Sequence, residues 1–217
     1  MENTKREFII KELMAPDFIQ IRGNEVDLEE YEETGRSKLK VCLPSKENLC
    51  IANVDGKKTD MLFFQNDRSK SMYKRVDHII FEHLDSRRWR LHLIEMKSSV
   101  GEEKWIEIKG KFRASYLLAQ AIAGMLELTV SDVVMYTAFE KVRFNPPDTM
   151  PVARRVRTGI PAVRMEQEWR GENFGLNFGE RISFIHLPVQ MERNREGTLE
   201  GNLTVSICKA YNGGETT

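Results

Sequence analysis

Apolar and polar residues alternate along two stretches in the middle of the chain, 76–84 and 89–97, as they do in half-buried strands. On the second, Leu91, Leu93, Glu95 and Lys97 share one face, while His92, Ile94 and Met96 share the other, because strand side chains alternate with a period of two. On the first, Asp77, Ile79 and Phe81 share a face. The polar run Asp85-Ser86-Arg87-Arg88 between them suits a hairpin loop. The period then changes. Trp105, Ile108, Phe112, Tyr116, Ala119, Ile122, Ala123 and Leu126 recur every three to four residues, which predicts an amphipathic helix over 102–127. Asp132–Phe139 reads as a buried strand, and a long helix between two strands is the usual crossover of a parallel pair. With Met61–Gln65 as a first strand, the order is strand, strand, strand, helix, strand. The fold class this predicts is α/β (α+β mixed), a central mixed β-sheet flanked by helices.

The flanks are less periodic. Residues 3–14 read as a helix with Asn3 or Thr4 as cap and Pro16 as its end. The dense acidic run 25–33 is expected to be a solvated helix face or loop. Residues 39–41 and 48–54 suit short strands, and Asp55-Gly56 marks a turn. Asn145-Pro-Pro-Asp148 breaks the chain, and the glycines that follow predict a loop-rich stretch. Residues 181–192 and 198–209 alternate around Arg193–Gly197 and predict an extra C-terminal β-hairpin, with a polar tail after it. A single domain over 1–217 is expected, its core at about 25–144 and a basic loop with the hairpin at 145–211.

Composition narrows the classes. The chain has 217 residues, 41% hydrophobic and 30% charged, enough for one well-buried globular domain. Net charge is zero and the pI is about 6.9, so contact with a polyanion must come from local patches and not from bulk attraction. Three cysteines (Cys42, Cys50 and Cys208) without a C-x-x-C spacing argue against a disulfide framework or a structural zinc site. No stretch reads as a signal peptide or a membrane span, so the expectation is a cytoplasmic protein with no membrane partner. Phosphate-loop, dinucleotide-binding and serine-hydrolase motifs are not found.

Candidate chemistry gathers at the end of the central hairpin. With Leu84 opposite Trp89, Asp77 falls opposite Met96, between Glu95 and Lys97; a slip of one residue either way sets Asp77 across from Glu95 or from Lys97. Opposed side chains lie about 4.5–5.5 Å apart at Cβ. Two carboxylates that close repel unless a cation separates them, and oxygen ligands suit Mg²⁺ or Mn²⁺. Lys97 can then orient the attacking water or offset phosphate charge. The alternative is an ordinary ion pair at a strand end. Of the histidines, His78 and His92 lie on the faces away from Asp77 and Glu95, which suits packing or hydrogen bonding better than metal ligation.

This order of elements, with Asp77 and Glu95-Met96-Lys97, resembles the PD-(D/E)xK nuclease superfamily over roughly residues 25–144. Val76 stands where the name motif has proline. The resemblance implies a restriction-endonuclease-like core and Mg²⁺- or Mn²⁺-dependent hydrolysis of DNA or RNA. In that reading Asp77 and Glu95 are metal ligands, the Met96 carbonyl is a further ligand, and Lys97 is the catalytic lysine. It also suggests a carboxylate from the acidic run, Glu29 or Glu32, and a helix residue near the metal, Lys111 or Gln120. By position, Lys70, Lys74 and Arg75 before Asp77, and Lys104 at the helix start, are candidates for phosphate contact or a solvated rim. Arg154, Arg155 and Arg157 are candidates of the same kind, because arginines interleaved with aromatic residues suit phosphate contact and stacking, or pair with nearby glutamates. The rival readings are a catalytically inactive relative that binds nucleic acid or a protein partner, and an interaction protein in which the cluster is only an ion pair. A homodimer through an exposed strand edge also stays open.

Overall fold

The computed structural model describes residues 4–32, 35–57, 64, 72–85, 87–144 and 162–206. A short helix α1 (Thr4–Phe8) runs into a π-helical turn, Ile9–Leu13. Strands β1 (Gln20–Arg22), β2 (Glu25–Glu32), β3 (Gly35–Cys42), β4 (Asn48–Ile51), β5 (His78–His83) and β6 (Arg88–Gly101) follow. Then come helix α2 (Glu102–Met125), strand β7 (Thr129–Arg143), helix α3 (Ala162–Trp169), strands β8 (Gly175–Asn177), β9 (Arg181–Ser183), β10 (Ile185–Gln190) and β11 (Glu192–Arg193), and strand β12 (Leu199–Thr204).

A six-stranded mixed sheet, ordered β1-β4-β5-β6-β7-β10, forms the middle layer. The three pairs through β1, β4, β5 and β6 are antiparallel, whereas β6 with β7 and β7 with β10 are parallel, so α2 serves as the expected crossover. Each face of the sheet has its own core. Ile79, Phe81, Leu91 and Leu93 pack against Trp105, Ile108, Phe112 and Leu118 of α2. Ile80, Ile94, Met96 and Tyr136 pack against Val26, Leu28, Leu39 and Val41 of a four-stranded sheet ordered β11-β12-β3-β2. Strand β5 and the middle of β6 are therefore buried on both faces, not half-buried as their alternation predicts, and their polar residues His78, Glu82, His92 and Glu95 are buried with them.

Helix α2 follows from its stripe: Trp105, Ile108, Phe112, Ser115, Ala119, Ile122 and Ala123 are all buried. Glu102 and Glu103 sit in its first turn, where the helix dipole favours acids. At its other end Glu127 takes a left-handed φ of 55°, Leu128 N–H donates to Ala123 O at 2.9 Å, and Glu127 N–H donates to Gly124 O at 3.3 Å. These two bonds form a Schellman cap.

Several expectations change. The acidic run 25–32 is strand β2, not a helix face or loop. Val26 and Leu28 enter the core while Asp27 and Glu29 face Lys40 and Lys38 across the pair, an alternation that balances charge on the outer face. The strand that directly precedes the hairpin in the central sheet is β4, not 61–65; apart from Phe64, that stretch lies outside the described residues. The predicted C-terminal hairpin shrinks to the β11–β12 pair. Strand β10 joins β7 and strand β12 joins β3, both in parallel, so the two arms belong to different sheets and lie within the core layers. Residues 162–169, expected as loop, form α3, while 145–161 lie outside the described residues. No helix among the described residues is long and apolar enough to cross a membrane.

Candidate metal centre

The hairpin register decides what meets what. His78 pairs with Ile94 and His83 with Trp89, one residue from the starting alignment, and continuing that register puts Asp77 across from Glu95. The loop sets this register: Leu84 N–H and Asp85 N–H both donate to Arg88 O. Asp77 immediately precedes β5, and three bonds hold it there. Met96 N–H donates to Asp77 Oδ2 at 2.6 Å, Val54 N–H donates to Asp77 O at 2.8 Å, and the neighbouring Val76 N–H donates to Ser115 Oγ of α2 at 2.9 Å. The last bond gives Val76 a purpose that proline cannot serve, since proline has no N–H.

Two lysines enter this carboxylate pair. Lys97 Nζ lies 3.1 Å from Glu95 Oε1 and 3.8 Å from Asp77 Oδ2, and it donates to Met96 O at 2.7 Å. Lys111, reaching down from α2, donates to Glu95 Oε1 at 2.6 Å and lies 3.8 Å from Asp77 Oδ1. Both acids are buried, Asp77 at 1% exposure and Glu95 at 0%. Glu95 Oε2 is buried and has no hydrogen-bond partner among the described residues. Burial, then the charge of Asp77, push the Glu95 carboxyl up to about 7 against the pull of Lys97 and Lys111. Burial alone lowers both lysines, but Glu95 and Asp77 outweigh it and leave each raised, so both ammonium groups stay charged.

The third carboxylate at the cluster is Glu30, not Glu29. Glu30 Oε1 lies 3.7 Å from Lys97 Nζ, at the end of the inward face of β2 that also carries Val26 and Leu28. Glu29 points to the other face, where it accepts hydrogen bonds from Tyr31 Oη and Arg36 Nη2, both at 2.6 Å, and these bonds hold its carboxyl down to about 2. The parity of β2 was the signal that distinguishes the two, and it depends on reading 25–32 as a strand. Ser115, a polar residue inside an apolar stripe, was a second signal left unused.

The remaining candidates divide. Lys74 and Lys104 both bind Glu107 of α2 at 2.9 Å, not the carboxylate pair. Arg75 is no surface contact: it is 1% exposed and donates to the carbonyl oxygens of Met72 and Lys74. Gln120 is nine residues beyond Lys111, two and a half turns, which puts it on the opposite side of the helix and about 13 Å further along its axis. Arg154, Arg155 and Arg157 lie outside the described residues. Lys70 and Glu32 also have no described side chain.

On the far face of the same sheet a separate buried group contains His92, whose Nε2 lies 3.0 Å from Glu82 Oε2 and whose Nδ1 lies 3.3 Å from Tyr136 Oη, with Arg90 3.4 Å from Glu82. His78 Nδ1 accepts from Asn53 N–H at 3.3 Å, and burial pushes its imidazole down to about 4. Both histidines are thus packed and bonded, as their strand faces predict.

Among the described residues no three His, Cys, Asp or Glu side chains form a ready-made metal cage. The donor set at the hairpin instead fits a hard cation with mixed ligands. It offers two opposed carboxylates, the Met96 carbonyl and one unsatisfied buried oxygen, and Mg²⁺ commonly takes one or two carboxylates with water and phosphate completing its shell. Compared with known proteins, the chain matches no family model, no curated protein and no solved structure.

Proposed function

We propose that this chain is a Mg²⁺- or Mn²⁺-dependent nuclease of the PD-(D/E)xK kind that hydrolyses phosphodiester bonds in DNA or RNA. The observation that carries the reading is the opposition of buried Asp77 and Glu95 with Lys97 beside both and Glu95 Oε2 left unsatisfied. Two buried acids side by side are costly, and a fold that served only stability would do as well with apolar residues there. The order β4-β5-β6-α2-β7 supports a restriction-endonuclease-like core.

In this reading Asp77, Glu95 and the Met96 carbonyl would hold the cation, which would supply Lewis-acid charge for the phosphate and activation of water. Lys97 stays protonated beside them and offsets the charge that builds on the phosphate in the transition state. Lys111 bonds Glu95 from the helix side and fixes the rotamer of that acid. The test is cleavage of labelled DNA and RNA oligonucleotides with Mn²⁺. Asp77→Asn, Glu95→Gln and Lys97→Ala are each expected to lower the rate at least about 100-fold with an unchanged circular dichroism spectrum. Cleavage retained in all three variants overturns the assignment.

One observation favours a second reading, nucleic-acid or protein binding without chemistry. Both lysine amines already sit on Glu95 Oε1, so the cluster is close to charge balance without any cation. Calorimetric titration with Mn²⁺ separates the two: heat of binding that is lost in Glu95→Gln supports the nuclease, and none in either protein supports the second reading.

A further inference from the structure

Beside α2 lies an open groove of about 750 Å³. Helix α2 lines it with Ile106, Glu107, Lys109 and Gly110, the β8–β9 hairpin lines it with Asn177 and Arg181, and Lys74 also lines it. Its charge is arranged as two clips, each with one acid shared by two bases. Glu107 is held by Lys74 and Lys104, both at 2.9 Å, and these two hold its carboxyl down to about 2. Glu168, 4% exposed on α3, is held by Lys109 at 2.7 Å and by Arg181 at 3.0 Å. Counting these partners, each clip carries one positive charge in excess, and both clips include a residue of α2. Arg113 and Glu103 also line the groove.

Two separate clips with an excess of positive charge, both at the lining of one groove, suit a polyanion that runs along it, not a single ion. The volume is that of a pocket for a small ligand and cannot take a duplex, whose major groove alone is about 12 Å wide. Ile106, half exposed on the wall, offers an apolar surface to a sugar or base. The groove also adjoins the metal centre. Lys74 is three residues before Asp77, a span of at most about 11 Å, and Gly110 on the wall precedes Lys111. We propose that this groove holds the phosphodiester backbone of a single nucleic-acid strand that leads to or from the Asp77–Glu95 centre. The proposal rests on the nuclease reading for its direction, but its test does not need cleavage.

The experiment is fluorescence anisotropy with a labelled single-stranded oligonucleotide of about 12 nucleotides and the matching duplex, in EDTA, over a range of salt. The variant is Lys74→Gln with Arg181→Gln, which takes one base from each clip and leaves each acid a partner. The control is Lys38→Gln with Lys40→Gln, which removes the same charge from the outer face of β3. The groove variant is expected to bind the single strand at least tenfold more weakly, with a salt slope smaller by roughly 1.4, about 0.7 per lost contact. The control is expected to match the wild type, and the duplex to bind more weakly than the single strand. Equal loss in variant and control, no binding by the wild type, or duplex binding as tight as single-strand binding would each overturn the proposal. Mn²⁺ titration of the groove variant keeps the two readings apart: unchanged metal binding with lost oligonucleotide binding locates the defect in the groove, whereas the failure of the nuclease reading is seen in the Asp77→Asn cleavage assay.

Discussion

Lys111 is the residue whose role most repays a test. Asp77 and Glu95 are nearly out of water, and the two lysines, at 2.6 and 3.1 Å from Glu95 and 3.8 Å from Asp77, are their counter-ions. Removing one partner of a buried ion pair costs about 3–5 kcal/mol, because the remaining charge is left uncompensated. A second lysine stays behind, so the loss from Lys111→Met is expected nearer about 2 kcal/mol in EDTA, measured by urea unfolding. If the carboxylates bind a divalent cation, Mn²⁺ replaces the lost charge, and it raises the Tm of Lys111→Met by more than that of the wild type. Equal shifts in both proteins would count against a metal at this place. Much of this centre was legible in the sequence. Asp77, Glu95 and Lys97 share a strand face by parity, and the register was known to within one residue. Glu30 was not legible, because its run of acids hides the alternation of Val26 and Leu28 behind a high local charge. Arg75 was misplaced for a related reason: sequence shows its charge, whereas only the packing shows that its guanidinium is buried.

Among the elements, α2 joins the centre and the groove: Lys111 and Ser115 bond Glu95 and the Val76 N–H, while Glu107, Gly110 and Arg113 line the groove. Its length was legible to within two residues because its apolar stripe is regular, and its crossover role followed from strands on either side. Strands β10 and β12 were legible as strands but not as members of two different sheets. Alternation gives the faces of a strand and says nothing of its partner when the connection is long. The weak point of α2 is its C-terminal cap. Glu127 holds the left-handed position that glycine usually takes, at a cost of about 1 kcal/mol. The Lys5–Glu127 ion pair on the surface offsets little of that, because both side chains are more than half exposed. Glu127→Gly is therefore expected to stabilise the protein by about 0.5–1 kcal/mol, read as a higher urea midpoint with an unchanged slope. A lower midpoint would mean that the Lys5 contact outweighs the backbone strain.

At the scale of the molecule, the layers meet around a histidine whose charge the fold does not accommodate. His186 on β10 is 1% exposed and is enclosed by the rings of Trp105, Phe112, Trp169 and Phe174, which come from α2, α3 and the segment before β8. Its Nδ1 meets Trp169 O at 2.9 Å and its Nε2 meets Thr137 Oγ1 at 3.0 Å. Burial, partly offset by the Trp169 carbonyl, pushes its imidazole down from the ordinary 6.5 to about 3. The sign follows from proton counting. Between pH 6.5 and 3 the unfolded chain binds a proton at this position and the folded chain does not, so acid favours unfolding. The stability is whole above pH 6.5 and falls by up to about 1.4 kcal/mol per pH unit below it, or about 2 kcal/mol by pH 5. Carboxylates held low, Glu107 among them, lose their contribution chiefly at more acid pH, below the range over which His186 begins to act. His186→Gln keeps a neutral polar group of similar size and removes the titration. Urea unfolding at pH 7.5, 6.0 and 5.0 is expected to show the variant weaker at pH 7.5, by about 1–2 kcal/mol of lost packing and hydrogen bonding, with a flatter decline toward acid. The gap between the two proteins then closes as the pH falls. A gap that stays constant from pH 7.5 to 5.0 would show that His186 titrates alike in both states, and that the seam between β10 and the two helices admits the charge.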